Sequence, residues 1–215
     1  MYIPDHFKEK NSERLAALVE GYPLGMLATV HDGLPFVSHL PFLFERHSGA
    51  HGKLIGHMAR ANPQWHDLAQ GKKVLAVFQG PHAYVSPSWY AAPGVPTWNY
   101  AVAHLYGVPR LIEDEAQLET IVGKLTAVHE AKYPEPWQAN LSGEKRTRLL
   151  GMIVGFEIEV TEIQGKFKLS QNRSVEDQQR VIEQLGPSSS PLDIEVAALM
   201  VSNLNNSFLK TRNEP

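Results

Sequence analysis

Apolar positions along the chain recur at two spacings. Residues 24–30 form an apolar run of strand length, Asp32-Gly33 follows as a tight-turn pair, and residues 34–42 return with alternating character. This pattern predicts a β-hairpin. Pro35 and Pro41 have no N–H to give a ladder, so the return strand must lie at an edge or be broken there. A broken edge leaves backbone groups free for the polar rim of a flat heteroaromatic ligand. Residues 54–58 and 74–78 are two more strand-like runs. Between them Asn62 is suited to an N-cap and Pro63 to a first helical turn, with Trp65, Leu68 and Ala69 on one helical face until Gly71 ends it.

The remaining segments alternate less cleanly. Residues 1–10 show no period and are expected to drape over the body. Asn11 or Ser12 caps a short helix with Leu15, Leu18 and Val19 on its apolar face, closed by Gly21 and Pro23. Residues 47–52 are a loop. Residues 82–90 read as a half-buried strand with Pro87 limiting its pairing, 91–96 as a loop, and 97–108 as a long aromatic strand that 109–112 extend after a break. From Glu115, Leu118, Ile121, Val122, Leu125 and Val128 share a helical stripe that ends at 133–137. Ser142 caps a short basic helix with Lys145, Arg146 and Arg148. Residues 152–163 are a strand with one wet face, turned by Gln164-Gly165 into 166–172. Ser174 and Asp177 start a helix through Leu185, residues 186–191 link it to a last helix from Leu192 to about Leu204, and Asn205 onward is expected to fray.

Antiparallel strands with short helices between them predict a mainly β fold with inserted helices (α+β), a small barrel rather than a doubly wound parallel sheet. The expected organisation is a barrel domain over residues 1–172 and a helical extension over 173–215.

Composition narrows the function. The chain has 215 residues, a net charge of −3 and 20% charged residues, which gives no electrostatic footprint for nucleic acid. With no cysteine, thiolate metal sites and a cysteine nucleophile are excluded. No apolar run is long enough to cross a bilayer, and the N-terminus has no basic-then-apolar leader pattern, so a cytoplasmic location away from membranes is expected.

Candidate chemistry centres on His57-Met58-Ala59-Arg60-Ala61-Asn62-Pro63-Gln64-Trp65. A strand that hands an arginine to a new helix N-terminus makes an anion socket, since the guanidinium and free N–H groups face one spot. The plain alternative is a solvated arginine beside an ordinary cap. His47 and His51 lack a third ligand at useful spacing for a metal. Ser86 and Ser88 lack the pattern of a nucleophile elbow. Lys145, Arg146 and Arg148 read as a solvated helix face. Trp89, Tyr90, Trp98 and Tyr100 suit a core or a subunit interface better than direct stacking on a ligand.

Several motifs together resemble a known family. They are the strand 24–29, Val37-Ser38-His39-Leu40-Pro41, Gly56-His57-Met58-Ala59-Arg60-Ala61-Asn62-Pro63-Gln64-Trp65, Tyr84-Val85-Ser86-Pro87-Ser88-Trp89-Tyr90, Pro96-Thr97-Trp98-Asn99-Tyr100 and Lys168-Leu169-Ser170-Gln171-Asn172. They are similar to the PaiB-like family, described as FMN-binding negative transcriptional regulators, and more distantly to pyridoxamine-phosphate-oxidase-like split barrels.

The resemblance implies a six-stranded FMN-binding split β-barrel and a homodimer with two flavin sites. It places the FMN phosphate at Arg60, Asn62 and the Gln64 neighbourhood; His57, one turn before, is a further candidate, with a plain strand residue as the alternative. It runs the isoalloxazine edge along Ser38, His39 and Leu40, brings Trp98 and Asn99 from the partner chain, and sets Gln171 and Asn172 near the same site. Few basic residues lie near Arg60, which implies weaker FMN affinity than in the oxidase branch. The functional expectation is a flavin-dependent sensor or regulator, or a weak oxidoreductase. One alternative is a repressor binding DNA directly, for which the helices show no helix-turn-helix signature. The other is a haem-binding split barrel with a histidine ligand.

Overall fold

The computed structural model describes residues 1–139 and 141–212. In chain order the elements are β1 (Lys8–Glu9), α1 (Ser12–Gly21), β2 (Leu24–His31), β3 (Leu34–Pro41), β4 (Leu43–Glu45), β5 (Lys53–Ala59), α2 (Gln64–Ala69), β6 (Val74–Val85), β7 (Thr97–Ile112), α3 (Glu115–Glu130), α4 (Gly143–Leu150), β8 (Ile153–Lys168), α5 (Val175–Leu185) and α6 (Pro191–Arg212). The described residues form an eight-stranded sheet in the order β3-β2-β6-β7-β8-β5-β4, with β1 added on β8. The registered pairs β1–β8, β2–β3, β2–β6, β4–β5 and β5–β8 are all antiparallel. Two of the eight strands, β1 and β4, are only two and three residues long, so the six-strand expectation describes the long strands and misses the short ones.

The hairpin forms as the Asp-Gly pair requires. Asp32 and Gly33 take φ of 50° and 79°, the left-handed pair of a two-residue turn, and β3 lies at the sheet edge as its prolines demand.

Contacts divide the chain into two compact units. One comprises Val19–Phe78 and His104–Ile163. In it β5 has two buried faces. Leu54 and Met58 join Phe42, Phe78 and Phe156 on one side, with Phe42 edge-on to Phe78 and to Phe156 at 5.4 and 5.9 Å between ring centroids. Gly56 sits where a Cβ would come within 2.7 Å of the Phe156 ring. Ile55, one residue out of phase, packs with Leu118, Ile121, Leu125 and Leu150 beneath α3 and α4. The Asp114 carboxylate caps α3 by accepting from the Gln117 N–H. Val128, at the end of the expected stripe, is exposed.

The other unit comprises Met1–Leu18, Gln79–Ala103 and Gln164–Pro215. Residues 1–10 are more ordered than their sequence suggests. Phe7 is buried, and β1 pairs Lys8 with Lys166 and Glu9 with Gly165. The Arg14 guanidinium lies 4.9 Å over the Phe167 ring and 2.6 Å from Glu9. Ser174 caps α5 through the Asp177 N–H, while Asp177 Oδ1 accepts from the Ala91 N–H at 2.8 Å. Val181, Leu185, Val196 and Met200 are the buried side of α5 and α6. The final helix does not fray at Asn205 but runs to Arg212, while residues 213–215 lie outside the described residues.

Three expected breaks in strands are absent. β6 runs unbroken through Gly80-Pro81, and its buried side shifts there from even to odd residues, as at a β-bulge. β7 continues through Pro109 to Ile112. Gln164-Gly165 lies inside β8 and makes no turn. Gly165 answers a close approach instead, since a Cβ there would sit 2.2 Å from Leu15 Cδ2.

Candidate functional site

The segment after β5 is fastened at both of its ends. Arg60 ends the strand and donates three ways: Nε to the Gly151 carbonyl at 3.0 Å, Nη2 to the Ile153 carbonyl at 3.1 Å, and Nη1 to Glu113 Oε1 at 2.9 Å. The two carbonyls fix the plane of the guanidinium. The carboxylate is the one charged partner, and its side chain is 53% exposed. The expected free anion socket is therefore closed by an acid of the same chain. The helix contributes little, because α2 has only six residues and the Asn62 side chain already accepts from the Gln64 N–H at 3.0 Å.

Asn62 caps as expected, one residue before the αR-configured Pro63, and also donates to the Ser38 hydroxyl at 2.9 Å. Asn62 and Ser38 are thus brought together by a short turn against the edge strand, while the Arg60 guanidinium turns to Glu113, Gly151 and Ile153. The hairpin register places Ser38 opposite Leu27, His39 opposite Met26 and Leu40 opposite Gly25, with His39 exposed and Ser38 and Leu40 half-buried.

Beneath this turn lies a polar network that the sequence pattern hides. The inward residues of α2 are Gln64, Asp67 and Leu68, whereas Trp65 is half-buried and Ala69 exposed. Gln64 is wholly buried, and its Nε2 donates to the Leu27 carbonyl at 2.9 Å and to Thr29 Oγ1 and the Phe36 carbonyl at 3.2 Å. Its Oε1 has no partner among the described residues. The Thr29 hydroxyl donates to Asp67 Oδ2 at 2.8 Å, and His31 Nδ1 donates to Asp67 Oδ1 at 2.9 Å. The hydrogen bond to Asp67 holds the His31 pKa above its ordinary value. The signal for these residues was polar side chains at i and i+3 of a short helix, masked by the apolar neighbours Trp65, Leu68 and Ala69.

His57 is placed elsewhere. It lines a cleft of about 830 Å³ beside α3 and α4, together with Trp137, Leu150 and Ile153, and burial lowers its pKa. Neither Ser38 nor Asn62 lines that cleft.

In the other unit Trp98 is half exposed, with the His82 and Tyr84 rings 6.1 and 6.0 Å away. Asn99 is corrected from a ring-covering role to a core one. It is fully buried, exchanges hydrogen bonds with the Ser170 hydroxyl at 3.0 and 3.1 Å, and reaches Met200 Sδ at 3.4 Å. Gln171 is likewise turned inward on its own segment. It accepts from the Leu169 N–H at 2.7 Å and donates to the Phe167 carbonyl at 2.6 Å, around Ser170 held at φ 65°. Lys168 bonds Thr97 and the Trp98 carbonyl, so the two motifs Trp98-Asn99 and Lys168–Gln171 do meet. Asn172 is exposed.

The basic residues of α4 are partly neutralised, since Arg146 reaches Glu115 and Glu119 at 3.1 and 3.2 Å. Among the described residues no group of three or more His, Cys, Asp or Glu could hold a metal ion, and no helix is long and apolar enough to cross a membrane.

A family model described as "Putative FMN-binding domain" matches residues 1–162. The chain belongs to this FMN-binding, PaiB-like family. It is 39% identical over 205 residues to the protease synthase and sporulation protein PAI 2 of Bacillus subtilis, covering 95% of this chain and 98% of that one. Among solved structures it is similar to the FAD and heme binding protein from Mycobacterium smegmatis, at TM-score 0.61 and 18% identity over 80% of this chain and 78% of that one. It is also similar to the flavocytochrome Anf3 from Azotobacter vinelandii, at TM-score 0.59 and 16% identity over 83% and 78%. The fold is the split β-barrel with inserted helices, and the family's cofactor is FMN.

The residues present fit such a cofactor. A flavin nucleotide needs a cation for its phosphate and unpaired polar groups for its ring edge. Arg60 is a cation that could hold the first, its one charged partner being the exposed Glu113 carboxylate. The free backbone edge of β3 could meet the second.

Proposed function

We propose that the protein is a homodimeric, cytoplasmic FMN-dependent sensor acting in gene regulation, in which the flavin phosphate replaces Glu113 on Arg60. Asn62 and Ser38 shape the turn beside that phosphate. The ring edge runs along Ser38, His39 and Leu40 on the free side of β3. A second copy of the chain covers the hairpin and brings Trp98 over the ring.

The observation that carries this reading is the three-way hold on Arg60. Two main-chain carbonyls aim the guanidinium, and the third partner is an exposed acid whose place an anion can take. The pairing of Arg60 with Glu113 keeps the cation oriented without FMN, so little reorganisation accompanies binding. Bound FMN supplies hydride- and electron-transfer chemistry. The chain's part is to orient the ring, exclude water from it and hold the phosphate.

The dimer is supported by the hairpin surface, where Leu24, Val30 and Val37 stand 48–66% exposed on one face of β2 and β3. An apolar patch of that kind marks an interaction surface. Regulation through a ligand or a protein partner suits the chain better than direct DNA contact, because the Arg146 charge on α4 is already paired. The relative's name, which concerns protease synthesis and sporulation, supports a regulatory role. FMN titration followed by flavin fluorescence, with sedimentation of the same samples, tests the reading. Saturable quenching by a dimer is expected, and a monomer that leaves flavin fluorescence unchanged would refute it.

A further inference from the structure

We propose that the face of β1 and β8 bearing Lys8, Lys166 and Lys168 is an anion site, taking a phosphate group, free or on a small ester, separately from the flavin seat at Arg60. The three lysines belong to one compact unit of the chain. Lys8 stands directly opposite Lys166 in the antiparallel register, and Lys168 follows two residues on, so all three share one face of the sheet. Lys8 is exposed, and Lys166 and Lys168 are half-buried.

Like charges directly opposite each other destabilise a strand pair. The fold supplies no acid to offset this one. Glu9, the acid of β1, faces the other side of the strand, where Arg14 takes it at 2.6 Å. Lys53 and Lys124 each hold a glutamate, whereas no carboxylate pairs with Lys8, Lys166 or Lys168 among the described residues.

The partners of the two β8 amines are neutral. Lys166 Nζ donates to the Tyr2 carbonyl at 3.2 Å and lies 5.6 and 5.4 Å from the Tyr2 and Tyr100 ring centroids. Lys168 Nζ donates to Thr97 Oγ1 and the Trp98 carbonyl and lies 5.8 Å from the Phe7 ring centroid. Burial, and then the charge of Lys166, pull the Lys168 pKa below the ordinary lysine value. An anion on this face acts against the second effect and relieves the repulsion between Lys8 and Lys166.

Donor count and charge select the occupant. An ammonium carries three N–H donors, so Lys168 keeps one unspent and Lys166 two after the bonds above. Those bonds already hold the amines in place, so little side-chain freedom is lost on binding. A phosphate dianion, with several acceptor oxygens around one centre, matches such point-charge donors. A long polyanion matches less well, because the basic face is three lysines wide on a chain of net charge −3.

Thermal melts of the full-length chain in sodium phosphate and in sodium chloride, at equal ionic strength and about pH 7.5 where phosphate is mostly dianionic, test the proposal. Phosphate should raise the melting temperature saturably, and less as added salt screens the charges. Lys166→Met should weaken the apparent affinity by about fivefold and Lys8→Gln by about threefold, as loss of a unit charge a few ångströms away implies. In chloride Lys8→Gln should melt at the same or a higher temperature than wild type, since it removes the cross-strand repulsion. Phenyl phosphate binding more tightly than inorganic phosphate would mark an ester as the ligand, and the reverse the free ion. Stabilisation kept in Arg60→Gln but weakened in the lysine variants supports the site. Stabilisation lost in Arg60→Gln and kept in the lysine variants assigns the phosphate to Arg60 and overturns it. If Lys166→Met fails to fold, the Lys8→Gln affinity decides. Identical wild-type melts in phosphate and chloride would overturn the proposal as well.

Discussion

Arg60 Nη1 lies 2.9 Å from Glu113 Oε1, while the rest of the same guanidinium is held by the carbonyls of Gly151 and Ile153. The carbonyl bonds tie the end of β5 to the start of β8 and are part of the fold. The carboxylate bond is an exposed ion pair, of a kind worth roughly 0–1 kcal/mol. Glu113 is therefore the partner that a ligand can displace.

Glu113→Gln separates the two roles. It removes a competing anion while leaving the carbonyl clamp in place. FMN affinity should rise by about threefold or more, and stability should change by less than about 1 kcal/mol. Fluorescence titration and urea denaturation measure the two quantities.

Gln64 ties α2 to the hairpin through bonds to Leu27, Thr29 and Phe36. Gln64→Leu removes the donor and leaves those acceptors unpaired in a buried place. A loss of about 2–4 kcal/mol is expected by urea denaturation, against less than about 1 kcal/mol for the exposed His66→Gln in the same helix.

The His31–Asp67 pair makes stability depend on pH. Its hydrogen bond to Asp67 raises the His31 pKa above the unfolded value, so the protonated form is favoured in the folded state. That stabilisation is fully present below an unfolded pKa of about 6.5 and is lost as pH rises through the folded value. His57 and His104 act in the opposite sense, because burial lowers their pKa values and acid then favours unfolding. The difference in melting temperature between wild type and His31→Gln isolates the first effect. It should be largest below pH 6.5 and shrink toward pH 8.5.

The exposed hairpin carries the proposed dimer contact. Val30→Glu places a charge on that surface without touching the core, since Val30 is 66% exposed and shares its face with Val37. Sedimentation should show wild-type dimer and variant monomer at equal concentration, with FMN affinity falling in parallel.

Turn chemistry and edge position were legible in the residues themselves. Asp32-Gly33 admits few conformations, and Pro35 and Pro41 cannot sit in a central strand. Gly165 was not legible, because a glycine that makes room for Leu15 looks in sequence like one that makes a turn. Gly80-Pro81 misled for a related reason: it shifts which side of β6 is buried without ending the strand. In the candidate site, Asn62 as a cap followed from local rules. Its bond to Ser38, the Glu113 partner of Arg60 and the burial of Asn99 are contacts between segments far apart in sequence, which no local spacing encodes.

FMN titration of Arg60→Gln against wild type, with folding confirmed by near-UV circular dichroism, is the sharpest single measurement. A loss of affinity of about tenfold or more, as removal of a charged hydrogen bond to phosphate implies, is the predicted result. Equal affinity in the folded variant would contradict a phosphate held at Arg60.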